Sequence, residues 1–294
     1  MDVNAPRKRI KELEVMVADS IQETADTVTL QFFTGNDRLE YQAGHFLTID
    51  PHQFAELERF IAYFEDAKGR KEPPRAYSMS SAPHERFLAI TVKEERYASG
   101  ATKYPPLLSP LLVKGVTRGM RLVITGFTGP YVLPPDLDQR AKHLVHVCAG
   151  SGIVPNFSIL KQSLAQHPKL KHTLVYSNKT WSDVIFAREL RELERQHPER
   201  LRVVHTLTRE SPDSLAGPHG AARSGRITPA LLREVIEDPS VCVAFACGPG
   251  ITSHEKAEAR KSGVAPAPRF LETSLGALRE IGLAEEQLEY ESYG

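Results

Sequence analysis

The chain has 294 residues, of which 41% are hydrophobic and 25% are charged, and its 37 basic and 37 acidic side chains leave no net charge at neutral pH. At about 150 residues for a typical domain, this length predicts two domains that bury enough apolar surface to fold without disulfides or a structural metal. The balanced charge disfavours a general nucleic-acid binder, because phosphate recognition requires a basic excess on one face.

The three cysteines, Cys148, Cys242 and Cys247, exclude several kinds of site. They form no Cys-x-x-Cys pair, and the sequence contains neither the four-thiolate spacing of an iron–sulfur cluster nor a His-Glu-x-x-His motif, so we expect no metal. The odd count and the lack of a secretory signal favour a reducing compartment. The longest apolar runs are far shorter than the ~20 residues of a membrane helix, and we therefore expect a cytoplasmic protein.

The first half of the chain carries short segments rich in β-branched and aromatic residues, separated by turn formers, a pattern typical of antiparallel strands. Between Pro51 and Pro74 the apolar residues recur at helical spacing instead and predict a helix of about three turns. Many short strands with few helices predict an antiparallel barrel or sandwich. The predicted strands are Glu14 to Ala18, Val28 to Phe33, Phe46 to Ile49, Phe87 to Lys93 and Arg121 to Thr125.

The paired prolines Pro134 and Pro135 mark a linker, because proline excludes both a helix interior and a central strand. Beyond them, buried-strand patterns alternate with helical patterns, which predicts a doubly wound parallel sheet. We therefore predict two domains, an antiparallel β-barrel over residues 1–138 and an α/β domain over residues 139–294. The predicted pairs of strand and helix are Leu144 to Cys148 with Pro155 to Gln166, Thr173 to Tyr176 with Phe186 to Gln196, Leu201 to Leu207 with Pro229 to Glu237, and Val241 to Cys247 with Ser253 to Lys261.

A glycine turn follows the first predicted strand of the second half and begins its first helix. Gly150 and Gly152, with Ser151 between them, would let the backbone approach a diphosphate, to which the helix N-terminus offers unpaired N–H groups. The alternative is a turn that is merely tight. Pro155 stands where the dinucleotide fingerprint has its third glycine, so the standard NAD fingerprint is excluded.

The next predicted strand ends without the acidic residue that normally holds the ribose hydroxyls of NAD. Asn178 and Lys179 occupy that position, and Thr208 and Arg209 follow the strand after it. Cations and hydroxyls in place of a carboxylate favour the additional 2′-phosphate of NADPH over NADH, and the alternative for both cations is ordinary surface charge.

Two further clusters carry chemistry. Arg75, Tyr77 and Ser78 combine a cation, an aromatic ring and a hydroxyl, which suit a phosphate and a flat ring system, although a strand with one charged residue at its rim has the same pattern. The turn from Cys247 to Gly250 follows the fourth predicted parallel strand, where ligands bind in open α/β sheets. A free cysteine in such a place is equally often a small buried side chain.

In this order and spacing, the clusters resemble the ferredoxin-NADP reductase family of flavoproteins over nearly the whole chain. The family's Arg-x-Tyr-Ser motif resembles residues 75–78, its Gly-x-Gly-x-x-Pro turn resembles residues 150–155, and its Cys-Gly-Pro turn resembles residues 247–249. Residues 291–293 are similar to the Glu-x-Tyr terminus of plant-type members, which would place Tyr293 on the flavin ring. The resemblance implies an FAD-binding barrel, a nicotinamide-binding domain and hydride transfer between the two cofactors.

The resemblance also implies a role for each motif. Arg75 would bind the FAD diphosphate, Tyr77 would pack on the flavin, and Ser78 would hydrogen-bond near the atom that accepts the hydride. Cys247 would lie close to the reacting nicotinamide carbon, and Glu291 would help to organise proton transfer. The implied catalytic residues are Ser78, Cys247 and Glu291; the implied FAD ligands are Arg75, Tyr77, Ser78, Val92, Lys93, Ser109 and Tyr293; the implied NADP ligands are Gly150, Ser151, Gly152, Pro155, Asn178, Lys179, Thr208, Arg209, Cys247, Gly248 and Pro249.

Two features depart from the family pattern. The family's Gly-x-x-Ser turn, which presents backbone N–H groups to the FAD diphosphate, resembles residues 106–109, where Pro106 replaces the glycine. Since proline supplies no N–H donor, FAD would bind less tightly or adopt a different bend. The stretches 51–73 and 251–282 resemble insertions, which would form either a partner surface or additional core.

We therefore expect a two-domain, FAD-dependent oxidoreductase of the ferredoxin-NAD(P)+ reductase type. It would take hydride from NADPH, with NADH as the alternative, and pass single electrons onward. Because the sequence shows no metal cluster, the acceptor would be a separate ferredoxin or the oxygenase that it serves. The alternatives are a reductase of a small acceptor, such as free flavin or a ferric chelate, and a nucleotide-sensing module that has lost FAD.

Overall fold

The computed structural model describes residues 11–35, 40–97, 104–217 and 220–293. The chain divides into two compact units between Pro130 and Tyr131, and the segment Gln22–Ala25 groups with the second unit. The sequence places the division later, after residue 138. The earlier position has a physical cause, because the Tyr131 side chain is buried and packs edge-on against Phe245 of the second unit, with ring centroids 5.4 Å apart.

The first unit forms an antiparallel sheet that curls towards a barrel. Its elements are β1 Lys11–Thr24, β2 Thr27–Phe33, β3 Phe46–Ile49, α1 Glu58–Lys68, β4 Arg75–Ser78, β5 Leu88–Lys93, α2 Ser109–Lys114 and β6 Arg121–Thr128. Among the described residues the strand order is β4-β3-β6-β1-β2-β5. An antiparallel bridge between Met79 and Ile90 joins the two ends of this order. Fully buried side chains such as Leu30, Leu47 and Ile124 fill the interior, and the predicted antiparallel β fold is confirmed.

The helix predicted in the first half forms as α1. Its residues Ile61 and Phe64 lie one turn apart and pack into the core of the first unit. Gly69 ends the helix in the left-handed region, at φ 63°, which glycine adopts without strain. The outer face leaves Phe60 and Tyr63 exposed. The insertion therefore contributes to the core on one side and presents aromatic rings to solvent on the other.

The second unit is a doubly wound α/β domain. Its elements are α3 Leu137–Arg140, β7 His143–Ala149, α4 Ile153–Gln166, β8 Lys171–Asn178, α5 Ala187–Gln196, β9 Leu201–Leu207, β10 Ala216–Gly217, β11 Gly220–Ser224, α6 Pro229–Val235, β12 Cys242–Pro249, α7 Ser253–Ser262, α8 Phe270–Glu280 and β13 Leu288–Tyr293. The described strands are ordered β10-β11-β9-β8-β7-β12-β13, and each pair from β11 to β13 is parallel. One core cluster packs α4 and α5 on the sheet and another packs α6 and α8, which confirms the predicted fold.

The strand order reverses at β7, which lies between β8 and β12. Loops that leave neighbouring strands in opposite directions open a crevice at such a point, and ligands of α/β proteins bind there. The predicted glycine turn follows β7, and the predicted Cys-Gly-Pro turn lies at the end of β12. The topology therefore brings these two motifs to the same edge of the sheet.

Sequence-based prediction missed three strands of the second unit, the two-residue β10, β11 and β13. β11 consists of glycine, alanine and polar residues without a strand signature, and it forms because its backbone pairs with that of β9. β13 follows the described helices and adds a parallel strand at the edge of β12. A helix long and apolar enough to cross a membrane is not found among the described residues.

Two buried histidines lie side by side in the second unit. The rings of His146 and His172 stack with centroids 5.8 Å apart. His146 Nδ1 lies 3.1 Å from Asn156 Oδ1, whereas neither ring nitrogen of His172 has a hydrogen-bond partner among the described residues. Burial is the main cause that lowers both pKa values, and it lowers the pKa of His146 to about 4. Both imidazoles are therefore neutral at physiological pH.

Replacing His172 with leucine is expected to reduce the pH dependence of stability. For a base whose pKa is lowered by folding, the free energy of unfolding is highest above the unfolded pKa of 6.5 and falls as the pH decreases towards the folded value. We expect His172→Leu to exceed the wild type by about 1–3 kcal/mol near pH ~5, and by less near pH ~8. Urea unfolding at both pH values measures this, with the exposed His254→Leu as the control. An equal gain at both pH values would contradict the assignment.

Candidate functional site

The predicted glycine turn joins β7 to α4 where the strand order reverses. Gly150 takes a left-handed φ of 52°, with open space around its Cα. A Cβ on Gly152 would lie 2.8 Å from the amide nitrogen of Gly248 and closer still to the carbonyl oxygen of Cys247, so only glycine fits this position. No described side chain caps the N-terminus of α4. The Ile153 N–H donates to the carbonyl oxygens of Gly150 and Ser151, and Pro155 has no N–H, so only part of the first turn is available to an anion. The turn and the end of β12 are therefore in direct contact.

The buried side-chain amide of Asn156 hydrogen-bonds to this turn. Asn156 lies in the first turn of α4, and its Nδ2 donates to the carbonyl oxygen of Gly152 at 3.1 Å. Its Oδ1 accepts from the Tyr131 hydroxyl at 3.3 Å. Pro155 is buried in the same helical turn, and Ser151 is half-buried. Sequence reasoning missed Asn156, because nothing in its spacing distinguishes it from an ordinary helix residue.

The strand β13 places Glu291 beside Cys247, since the two residues are register partners in parallel strands. Burial, and then the nearby Glu291 carboxyl, raise the pKa of the Cys247 thiol well above its usual value, so the thiol is neutral. Burial also raises the pKa of Glu291 to about 7, and its Oε2 is buried without a hydrogen-bond partner among the described residues. Pro249 and Tyr293 pair two positions further along. An acid that titrates near neutral pH is able to hold or release a proton here.

A cavity of about 700 Å³ opens at the carboxyl ends of the parallel strands. Three arginines line it, namely Arg209 after β9, Arg226 after β11 and Arg269 before α8. Its described lining contains no carboxylate, and neither Arg209 nor Arg226 has an acidic partner among the described residues. Like charges at one cavity repel each other, so this wall is suited to a polyanion such as a phosphate.

This cavity contains only some of the residues that the sequence predicts for the nucleotide. Thr208, Arg209 and Pro249 line it, whereas Asn178 and Lys179 are absent from its described lining. Asn178 is buried, and its carbonyl oxygen accepts from the Thr208 amide at 3.0 Å. Lys179 is exposed to solvent. Sequence reasoning missed Arg226 and Arg269 because each lies in a loop that only folding brings beside β9.

In the first unit, β4 carries the predicted flavin motif. Arg75 and Tyr77 are two residues apart and share one face of the strand, and Ser78 points to the other face, where it is 7% exposed. The Tyr77 ring is half-buried, and its hydroxyl has no hydrogen-bond partner among the described residues. Burial raises the pKa of this hydroxyl far above its usual value, so it is a neutral donor.

A buried carboxylate, Glu72, holds the Arg75 guanidinium in place. Arg75 Nη2 donates to Glu72 Oε2 at 2.6 Å, and Nη1 donates to the carbonyl oxygen of Pro73 at 2.8 Å. The Glu72 side chain is 1% exposed and also binds Lys68 at the end of α1. Burial opposes the ionisation of Glu72, but hydrogen bonds from Lys68 and Arg75 outweigh it and lower the pKa. The insertion around α1 therefore orients Arg75, which sequence reasoning did not foresee.

Three other predicted flavin ligands, Val92, Lys93 and Ser109, lie in the first unit, whereas Tyr293 lies on β13 of the second unit. The Val92 side chain is 1% exposed in the core, and its register partner in the antiparallel ladder is Val28 of β2. Lys93 Nζ donates to Asp26 at 2.8 Å. Ser109 begins α2, is 5% exposed, and accepts from the Glu95 amide at 3.1 Å.

The antiparallel barrel, the doubly wound sheet and its glycine turn define a two-domain protein whose α/β unit has the features of a nucleotide-binding domain. Residues 146–253 match the family of the oxidoreductase NAD-binding domain. The chain is 34% identical over 246 residues to the ferredoxin reductase component of 3-ketosteroid-9-alpha-monooxygenase from Mycolicibacterium smegmatis, which covers 81% of this chain and 58% of that protein. It is 28% identical over 233 residues to NADH-cytochrome b5 reductase 2 of Botryotinia fuckeliana, covering 78% and 60%. The chain thus spans less than two thirds of either relative.

A solved structure shows the same fold. Ferredoxin-NADP+ reductase from Plasmodium falciparum, crystallised with 2′P-AMP, superposes with a TM-score of 0.67 at 17% identity, over 96% of this chain and 97% of that one. As the ordered motifs predict, the chain is similar to reductase components in sequence and to ferredoxin-NADP+ reductase in fold.

Proposed function

We propose that this chain transfers hydride from NADPH to FAD and delivers single electrons to a separate ferredoxin or oxygenase component. The observation that carries the proposal is the meeting of the Gly152 turn, Cys247 and Glu291 at the reversal of strand order in an NAD-binding sheet. The three cysteines are free and buried, which suits a reducing compartment such as the cytoplasm.

The residues of β4 fit the FAD molecule that this family implies. The Arg75 side chain is 36% exposed and is oriented by Glu72, so it is able to bind a diphosphate. The Tyr77 ring on the same strand face, whose hydroxyl has no partner among the described residues, suits a flat ring that carries polar edges. When bound, FAD supplies the conversion of a two-electron hydride donor into single-electron transfers. The implied roles of Ser78, Ser109 and Val92 remain predictions.

The arginine-lined cavity supports NADPH over NADH. NADPH differs from NADH by a 2′-phosphate, which adds about two negative charges near neutral pH. Arg209 and Arg226 lack an acidic partner among the described residues and offer bidentate donors to such a group. Lys179 lies outside the described lining, and its contribution remains a prediction.

The residues at the carboxyl edge of the sheet would then have separate roles in binding the nucleotide and in holding a proton. Backbone N–H groups of the turn that contains Gly150 and Gly152 bind the nucleotide diphosphate. Cys247, as a neutral thiol, packs against the nicotinamide without placing a negative charge beside it. Glu291 holds a proton at its Oε2 below its pKa of about 7 and releases it above that value.

The proposed function is tested with the purified chain. We expect a flavin spectrum that is bleached faster by NADPH than by NADH under anaerobic stopped flow, and faster turnover with a ferredoxin than with free flavin or a ferric chelate. A colourless protein that regains no flavin spectrum on addition of FAD would overturn the reductase. Faster turnover with free flavin would instead identify a reductase of small acceptors.

The Glu291→Gln variant is expected to lose a pH transition in flavin reduction. In the wild type, the rate of reduction by NADPH should fall as the pH rises through about 7, because Glu291 loses the proton that it can donate and becomes a buried anion. Glutamine keeps the shape of the side chain and does not titrate, so its rate should be flat over the same range. Anaerobic stopped flow across this range measures it. An unchanged transition in Glu291→Gln would exclude Glu291 as its source.

A further inference from the structure

Arg269 differs from the other two arginines of the arginine-lined cavity in its position in the fold and in its ion-pair partner. Arg209 and Arg226 directly follow the strands β9 and β11. Arg269 lies between α7 and α8, inside the stretch 251–282 that the family motifs leave unexplained. Its neighbours Pro268 and Phe270 also line the cavity, so this stretch builds one whole wall.

Arg269 is held by a carboxylate that lies outside the cavity lining. Its Nη2 lies 2.8 Å from Glu255 Oε1 in the first turn of α7. The other carboxylate oxygen, Glu255 Oε2, accepts from the amide and from the hydroxyl of Thr252, both at 2.8 Å. Arg269 is 42% exposed and Glu255 34%, so solvent reaches the pair and weakens it. A stronger anion would therefore be able to draw Arg269 away.

The helix α7 depends on this pair for its attachment. It contains no buried residue over its ten positions. Among the described residues, the bond between Glu255 and Arg269 is the ion pair that links α7 to another element, since Lys261 and Glu258 pair within the helix. A helix that is polar all round gains little from packing. Its position is therefore sensitive to the state of Arg269.

We propose that Arg269 is a third ligand of the NADPH 2′-phosphate and that Glu255 competes with the phosphate for it. Binding moves Arg269 from a carboxylate to a phosphate, which carries more charge and accepts bidentate hydrogen bonds. The exchange discriminates against NADH, which leaves Arg269 on Glu255, and it releases α7 when NADPH binds. This proposal rests on the proposed use of NADPH, and it deepens that proposal by naming a specificity-determining residue.

The test compares two probes on the flavin-loaded full chain by isothermal titration calorimetry. The probes are 2′-phospho-AMP, which carries the extra phosphate, and 5′-AMP, which lacks it. Arg269→Gln should weaken 2′-phospho-AMP about tenfold, the loss expected for one charged hydrogen-bonded contact, and leave 5′-AMP within about twofold. Glu255→Gln should tighten 2′-phospho-AMP about threefold, because glutamine keeps an oxygen for Thr252 but no longer competes for Arg269.

Glu258→Gln is the matched control, because it removes a carboxylate from the same helix and its partner is Lys261. It should leave both affinities unchanged. Arg269→Lys should recover part of the lost affinity, which a fold defect in Arg269→Gln would not explain. Amide hydrogen exchange in α7 should rise with 2′-phospho-AMP and stay constant with 5′-AMP.

The proposal predicts that Arg269→Gln lowers the affinity for 2′-phospho-AMP and that Glu255→Gln raises it, so the two variants test it in opposite directions. If Glu255→Gln weakens 2′-phospho-AMP as Arg269→Gln does, the pair is a structural brace and the competition is refuted. If Arg269→Gln has no effect while Arg209→Ala lowers the affinity for 2′-phospho-AMP, the proposed use of NADPH is supported and the proposed role of Arg269 is refuted. A wild type that binds both probes equally would remove the 2′-phosphate assignment itself.

Discussion

Replacing Gly152 with alanine is expected to destabilise the second unit by about 3 kcal/mol and to abolish nucleotide binding. The added Cβ would collide with backbone atoms of Cys247 and Gly248, which belong to the strand β12 between β7 and β13 and cannot rotate away as a side chain can. Either the turn or the strand must move, and each is part of the proposed nicotinamide site. Chemical unfolding and titration with 2′-phospho-AMP measure the two effects.

Gly150→Ala is the matched control for this prediction. Gly150 has a left-handed φ of 52° but open space around it, so alanine there costs only the strain of that backbone region, about 1 kcal/mol. The two glycines lie two residues apart in one turn, and the comparison separates collision from backbone strain. A loss for Gly150→Ala as large as that for Gly152→Ala would refute the close approach as the cause.

Replacing Arg75 with glutamine is expected to weaken FAD binding about a hundredfold or more, since a charged, bidentate contact to a diphosphate is lost and the buried Glu72 carboxylate is left with one cation fewer. Glu72→Gln should weaken FAD binding less, by about tenfold, because the guanidinium remains but is no longer oriented by a carboxylate. Fluorescence titration of the FAD-free protein with FAD measures both dissociation constants.

The coupling between these two residues is measured with the double variant. If Glu72 acts through Arg75, the double variant should bind FAD no more weakly than Arg75→Gln alone. The exposed Arg70→Gln serves as the control for removing a cation near the end of α1. Additive losses in the double variant would show that Glu72 acts independently of Arg75, through the stability of the first unit.

Elements with a strong local pattern follow the sequence predictions closely. The strand from Leu201 to Leu207 forms over the predicted residues, and α4 and α5 begin within a few residues of their predicted starts, because each has a continuous apolar pattern of the right period. The motifs of the candidate site are local in the same sense, since the glycine turn and the Cys-Gly-Pro turn each consist of adjacent residues. Such features require no knowledge of their neighbours in space.

Contacts between segments that are distant in sequence cannot be predicted from local patterns. The arginine cavity joins residues that follow β9, follow β11 and precede α8, and no periodicity links these three positions. β11 lacks a strand signature altogether and forms only because β9 offers its edge. The ion pair between Glu72 and Arg75 has a short spacing, but spacing does not reveal that the Glu72 carboxylate is buried and that Lys68 also binds it.

Composition, turn residues and hydrophobic period thus determine the two fold classes and the glycine turn, because these depend on residues that are neighbours along the chain. The expectation of FAD and nicotinamide chemistry comes from the resemblance of the ordered motifs to the ferredoxin-NADP reductases. Tertiary structure determines which ionisable side chains lie close together. It sets Glu291 beside Cys247 and raises the pKa of its carboxyl to about 7, and it gathers three arginines around one cavity. The physical reason is that burial and electrostatic energy depend on distance in space, which the fold alone establishes.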